Sequence, residues 1–351
     1  MQSLLALSPQ ATEHRVCSLG GKPFHARILR KAVFEQGVTE YEGITSLSKS
    51  LRERLAVQLP ILTGNELTRS VAPDGTTKLL ISLPGSTADG SGERERKPAA
   101  IETVHIPSLR SGRGATLCVS TQVGCPVSCP FCASGREGLD RNLTRAEILE
   151  EFVRGRAVGP LGRVVVMGIG EPLLNLTETR AALEVVNAEM GIGARKITVS
   201  TVGFPDRLAE LARDEPRFQL AISLHSPFDD ERSELVPAMK GVSVADVLRA
   251  GDDWFRQTGR EVTYEYVLLG GLNDTEEHAA ELAGRMRGRR ASVNLIPYNP
   301  VPGDRFARPD KARVAAFADD LTERGVIATV RWSRGLAADA ACGQLRQQTG
   351  A

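Results

Sequence analysis

From about Ala115 onward, short apolar runs rich in Val and Ile alternate with longer amphipathic stretches. The strand-like runs are ATLCVST, RVVVMG, KITVST, FQLAISLH, VTYEYVLL and SVNLIPYN, with ATVRWS as a closing strand. Between them, TRAEILEEFVRG, TETRAALEVVNAEM, VADVLRAGDDWFRQ, TEEHAAELAGRMR and PDKARVAAFADDLTERG carry helical periodicity. A strand that returns through a helix lies parallel to its predecessor. About six such units therefore predict an α/β fold with a parallel sheet, doubly wound or curled into a partial (β/α)6 barrel. In barrels of this kind the functional residues sit at the C-terminal ends of the strands. Polar residues and glycines gather there: Gly168–Glu171, Ser200–Gly203, Ser223–Ser226 and Asn299.

The text before Ala115 is different. PFHARILRKAVFEQG and SLSKSLRERLAVQL read as helices with basic polar faces. TKLLISL and AIETVHIP read as the arms of a hairpin, joined by the polar stretch PGSTADGSGERERKPA. The expected organisation is a helical accessory domain over 1–83, a hairpin and linker over 84–110, the barrel over 111–336, and a C-terminal segment over 337–351. The net charge of +1 neither requires nor excludes nucleic acid, because a basic face can be cancelled elsewhere. Neither a signal peptide nor a membrane-spanning apolar run is evident, so a soluble cytoplasmic enzyme with no membrane partner is expected.

Four of the six cysteines crowd into one short segment. Without a secretion signal, that pattern points to metal or catalysis rather than a disulfide framework. Cys125, Cys129 and Cys132 have the spacing C-x3-C-x2-C in the loop after the first barrel strand. Three thiolates can hold three corners of a [4Fe–4S] cluster and leave the fourth iron open to a small molecule. Zinc is the alternative, but it prefers four closed ligands at paired spacings, and no second pair or nearby His follows. Cys118 and Cys342 read in isolation as small buried hydrophobes, and Cys17 as one that merely packs.

CVSTQVGC, the NLT after the cluster motif, VVMGIGEPLLN, ITVSTVG, AISLHSP, VNLIPYNP and AACGQL occur here in order. Together they resemble the radical S-adenosylmethionine (SAM) methyltransferases that methylate adenine in RNA, the RlmN/Cfr type. The resemblance runs from about Glu102 to Leu345 and returns in GKPFHARILRKAVF. It implies a [4Fe–4S] cluster on Cys125, Cys129 and Cys132, with SAM bound to the open iron. Phe131 matches the family's frequent aromatic between the last two ligands. Such chemistry is needed because C2 and C8 of adenine are electron-poor carbons that cannot attack a methyl sulfonium.

The resemblance further implies that Cys342 first takes a methyl group from one SAM. A second SAM supplies a deoxyadenosyl radical that removes hydrogen from the S-methyl, and the methylene radical adds to the ring. Attack of Cys118 on the Cys342 sulfur then releases the product and leaves a disulfide. By motif, Gly170, Glu171, Ser200, Ser223, Leu224, His225 and Asn299 would contact SAM. Each could instead cap a helix or satisfy a turn. Glu102 matches an acidic residue that the family places near the substrate as proton acceptor; a solvated strand glutamate is the other reading.

The expected substrate is large-subunit rRNA, with tRNA as a second one. GEPLLN and NLIPYNP resemble the C2-methylating branch, whereas GREGLDRNLT, STVG and SLHSPFDDERS have some likeness to the C8-methylating, antibiotic-resistance branch. A radical-SAM enzyme acting on a protein or small molecule is a different-class alternative, though it has no general need of Cys118 and Cys342. A non-enzymatic iron–sulfur module would leave GIGE and AACGQL without purpose. A monomer served by a flavodoxin or ferredoxin electron donor is expected. Lys22, Arg27, Arg30, Lys31, Lys49, Arg52 and Arg54 are candidate phosphate contacts, or simply solvated helix faces.

Overall fold

The computed structural model describes residues 2–84, 99–214 and 216–345. Most of the polar stretch expected to join the hairpin arms, and the tail beyond Leu345, lie outside the described residues. Three helices, α1 (Pro9–Ser18), α2 (Pro23–Arg30) and α3 (Lys49–Gln58), open the chain. Strands β1 (Asn65–Val71), β2 (Thr77–Leu83) and β3 (Ala99–Ile106) follow as an antiparallel meander. β3 then pairs antiparallel with β4 (Ala115–Cys118), the first barrel strand. The two arms read from sequence are β2 and β3; β1 is an additional edge strand, mostly exposed and polar.

From β4 the chain alternates as its periodicity predicts. A small ribbon of β5 (Gln122–Gly124) and β6 (Leu139–Asn142) comes first. Then come α4 (Arg145–Val158), β7 (Leu161–Val166), α5 (Leu176–Glu189), β8 (Ile197–Thr201), α6 (Pro205–Arg213) and β9 (Gln219–Ser223). The chain continues through α7 (Asp229–Leu235), α8 (Val244–Thr258), β10 (Val262–Leu268), α9 (Glu276–Met286), β11 (Ala291–Pro297), α10 (Lys311–Glu323) and β12 (Ala328–Val330). The main sheet runs β1-β2-β3-β4-β7-β8-β9-β10-β11-β12, with every pair from β4 to β12 parallel. This is the α/β fold with a parallel sheet expected from the sequence.

Strand side chains such as Leu117, Val164, Val199, Leu220, Ile222, Tyr264 and Leu295 are buried. Each aliphatic one contributes about 1.5–3 kcal/mol on leaving water. Thr144, the last residue of NLT, caps α4 by accepting from the Glu147 amide, while Glu147 returns a carboxylate to the Thr144 amide. Among the described residues no helix is long and apolar enough to cross a membrane.

The N-terminal helices are fastened to the barrel by charge. Arg30 on α2 makes two hydrogen bonds to the Glu189 carboxylate on α5, at 2.6 and 2.5 Å. It also donates to Leu7 O and Thr12 Oγ1. Arg30 is only 7% exposed, so it is a structural tie and not the phosphate contact its sequence position offered. The helix curls so that this arginine faces the barrel. Arg52 and Arg54 spend donors on the carbonyls of Glu42 and Leu19, whereas Lys22, Arg27, Lys31 and Lys49 are exposed. Glu150 on α4 accepts from the amides of Thr63 and Gly64 and pairs with Arg154, closing the same junction. Cys17 is exposed rather than packed.

Candidate functional site

The loop between β5 and β6 carries Cys125, Cys129 and Cys132. Its conformation is locally built. The Cys125 amide donates to Gly138 O, and Cys132 N turns back to Cys129 O at 3.0 Å. Ser128 takes a left-handed conformation with φ 56°, which brings the chain round between the first two cysteines. Gly135 packs onto that turn so closely that a Cβ there would lie 2.9 Å from Ser128 Cα.

The three thiols line one cavity at the C-terminal ends of the strands, with Gly168, Gly170, Glu171, Ser200, Ser223, His225, Asn299 and Cys342. Among the described residues no three His, Cys, Asp or Glu side chains converge on one point, as a single zinc ion needs. Three thiols lining one cavity could each give one thiolate to a corner of a cubane. Burial pushes all three thiols up, Cys125 to about 12. Iron would therefore bind by displacing their protons.

Opposite chemistry lies beside them. Gly170 has φ 108°, and a Cβ there would stand 2.7 Å from Gln122 Cβ, so only glycine lets β7's end approach the cluster loop. Glu171 is buried and accepts from Leu173 N and Val202 N, at 3.0 and 2.9 Å. Burial raises its carboxyl to about 6. His225 is buried with φ 63°, its Nδ1 accepting from Val267 N at 3.1 Å. Desolvation lowers it to about 3, so the ring is neutral at physiological pH. Phe131 stands edge-on to that ring at 5.0 Å and covers the cavity wall. Leu224 does not line the cavity; it is 0% exposed, and its amide donates to Glu265 O.

Asn299 is the joint between this cavity and the C-terminal loop. Its amide donates to Cys342 O at 2.9 Å and to Ser333 Oγ at 2.8 Å, while Arg308 donates to its Oδ1. The same loop is held to the cluster loop by Ala133 N to Gly343 O and Ser134 Oγ to Leu345 O. Cys342 also lines a neighbouring cavity, together with Cys118, Met167, Arg331, Trp332 and Arg334. Cys118 is buried, and loss of hydration raises its thiol to about 12. Cys342 is open to solvent on a concave wall, where desolvation also raises it. The disulfide implied for this pair is not formed: all six cysteines are free.

Residues 119–283 match the radical SAM superfamily, and residues 2–61 match the ribosomal RNA large subunit methyltransferase N-terminal domain. A probable dual-specificity RNA methyltransferase RlmN from Rhodopirellula baltica is 43% identical, covering 94% of this chain and 87% of that protein. One of the same name from Synechococcus sp. (strain RCC307) is 42% identical, covering 99% of this chain and 98% of its own length. The chain belongs to the RlmN family of radical-SAM RNA methyltransferases. A solved radical SAM methyltransferase from Sphaerobacter thermophilus shares the fold with a TM-score of 0.88 at 38% identity, over 99% of this chain and 100% of the other. As an RlmN-family enzyme the chain works with a [4Fe–4S] cluster and SAM.

Glu102 lines a separate cleft. It is 3% exposed on β3, paired with Lys78 Nζ at 2.8 Å, in a cleft with Asp339 that contains neither Cys118 nor Cys342. Lys78 also donates to Asp339 O, three residues before Cys342. In this RlmN-family site the sequence reading missed Gln122, whose Oε1 accepts from Glu171 N at 2.8 Å, and Glu265, buried in the cavity wall. It also missed Arg331 and Trp332 beside the two thiols. A polar residue inside a strand run was the only signal for Gln122 and Glu265.

Proposed function

We propose that this chain methylates C2 of an adenine in large-subunit rRNA, and in tRNA, through a methyl group carried on Cys342. The observation that carries the reading is the position of Cys342: it lines both the cavity of the three clustered thiols and the cavity of Cys118. A methyl group on its sulfur would be reachable from the SAM side and from the substrate side. The curated relatives bear the name dual-specificity RNA methyltransferase, which supports two RNA substrates.

When bound, the cluster on Cys125, Cys129 and Cys132 supplies the electron that turns SAM into a source of deoxyadenosyl radical. The remaining steps fall to the chain. Glu171 receives the ammonium of SAM, Gly170 lets its backbone approach, and Ser200, Ser223, His225 and Asn299 contact its polar edges. The Cys342 thiolate attacks the methyl carbon of SAM, forming the S–CH3 bond as the sulfonium bond breaks and S-adenosylhomocysteine leaves. One hydrogen atom passes from that methyl to the deoxyadenosyl radical, and its carbon joins adenine C2; the ring would then give its proton to Cys118 and return the one electron that the cluster supplied. The Cys118 sulfur attacks Cys342 Sγ as its proton passes to the departing carbon: the S–S bond forms, the S–CH2 bond breaks toward carbon, and that carbon becomes methyl. A disulfide remains, to be reduced for the next turnover.

In this reading Cys118 is the group placed to take the ring proton, and Glu102 acts through Lys78 on the position of the Cys342 loop. The exposed bases of residues 1–83 grip RNA, the hairpin of 84–110 flanks the barrel of 111–336, and 337–351 carries the methyl. A flavodoxin or ferredoxin would deliver the electron to a cytoplasmic monomer. Mass spectrometry of RNA modified in vitro tests the reading. Wild type should yield 2-methyladenosine and Cys342→Ala none. Methyladenosine from the alanine variant would refute the carrier role, and 8-methyladenosine would refute C2.

A further inference from the structure

Arg232, on α7, is 1% exposed and does not line the SAM cavity, but it lies directly behind its wall. Its Nε donates to Leu224 O at 3.1 Å, and its Nη2 donates to Val202 O at 2.7 Å and Ser223 O at 3.2 Å. Those carbonyls belong to the ends of β8 and β9, and Val202 and Ser223 line the cavity. The turn after α7 reaches the cluster loop itself, where Ala238 N donates to Val127 O between the first two cysteines. Three satisfied donors would suffice for a staple.

The remaining nitrogen is the informative one. Nη1 is fully buried without a hydrogen-bond partner among the described residues. Leaving such a donor unpaired is costly, and more so on a charged group. Desolvation lowers the guanidinium only to about 10, so it is charged at neutral pH. The groups that face it electrostatically are Cys129, Asp229 and the neutral His225. Asp229 already accepts from Val244 N. Burial and the neighbouring Cys132 and Cys125 thiols raise Cys129, and the charge of Arg232 works against them.

We infer that Arg232 is a positioning residue that raises the reduction potential of the cluster by holding a buried positive charge behind the wall of the cavity that the three cysteines line. The physical reason is a charge balance. Three thiolates around a [4Fe–4S] core carry net negative charge that grows on reduction, and a fixed cation in a low-dielectric wall favours the more negative state. The inference rests on the assignment of Cys125, Cys129 and Cys132 as the cluster ligands.

The experiment is a potentiometric titration of cluster-loaded protein followed by electron paramagnetic resonance, on wild type, Arg232→Gln and Arg232→Lys. Iron and sulfide content is measured on each. Arg232→Gln should shift the midpoint to more negative potential, and Arg232→Lys should restore much of the shift. An unchanged midpoint in loaded Arg232→Gln overturns the inference. A wild type that binds no cluster overturns the ligand assignment and this inference with it.

Should the glutamine variant fail to fold or load, wild type labelled with 15N-arginine answers instead. Reduced cluster should show a 15N hyperfine coupling from a nearby guanidinium, lost in Arg232→Lys. Absence of that coupling in wild type overturns the inference.

Discussion

Cys118 at the end of β4 and Cys342 in the C-terminal loop line one cavity, yet their environments differ sharply: the first is buried and the second open to solvent. Burial raises the Cys118 thiol to about 12, so at pH 8 it holds almost no thiolate. Arg331 lines the same cavity and draws both thiols downward against that burial. Brief treatment with iodoacetamide at pH 8 should therefore alkylate Cys342 and the exposed Cys17 well before Cys118. Peptide mass spectrometry reads the order. Equal rates at Cys118 and Cys342 would contradict the burial described here.

The proposed contact of Glu171 with the ammonium of SAM carries a pH dependence. Its carboxyl stands at about 6 through burial, so it is charged at pH 7.5 and largely protonated at pH 5. A ligand ammonium needs the charged form. SAM affinity should fall as pH drops through about 6, and Glu171→Gln should weaken it about 10- to 150-fold, in keeping with ~1.5–3 kcal/mol for a charged hydrogen bond. The variant's affinity should lose that pH dependence. For stability the sign is reversed from an ordinary carboxylate: the raised value costs stability above about pH 6, and the cost vanishes as pH falls. Calorimetric titration between pH 5 and 8 checks both variants.

Legibility in the sequence tracked how local each feature is. The candidate cluster ligands sit within eight residues of text, and their spacing alone pointed to an open-iron site. Buried strands such as FQLAISLH read directly because apolar runs flanked by turn residues have few other uses. β1, NELTRSV, was missed because an edge strand exposed along most of its length carries no apolar alternation. α6 and α7 are short, and α7 lies in the charged run FDDERS, so no helix was read there and Arg232 drew no notice. Arg30 read as a phosphate contact or a solvated face, because the Glu189 that buries it is 159 residues distant. Charge on a helix face does not reveal which face turns inward.

Arg30 also makes a stability prediction. Its side chain is 8% exposed and that of Glu189 22%, so removing either leaves a largely buried partner without its counter-charge. Arg30→Ala should cost about 3 kcal/mol, and limited proteolysis should cut residues of the N-terminal helices first. The double variant Arg30→Leu with Glu189→Leu should recover much of the loss, because no orphaned charge then remains. Urea denaturation followed by circular dichroism measures both. A loss under 1 kcal/mol in Arg30→Ala would contradict the tie between α2 and α5.

RNA binding should separate the exposed cations from the buried one. Lys22, Arg27, Lys31 and Lys49 are exposed on the N-terminal helices and available to phosphates. Each phosphate contact releases condensed counterion, so binding weakens with salt in proportion to the contacts made. Changing these four residues to Glu should lower affinity for a substrate RNA at least tenfold and flatten the plot of log affinity against log salt. Arg30→Leu with Glu189→Leu should leave that slope unaltered, because Arg30 already spends its donors on Glu189, Leu7 and Thr12. Filter binding across a salt series reads the two slopes. A fourfold charge reversal that leaves the slope intact would move the RNA surface away from these helices.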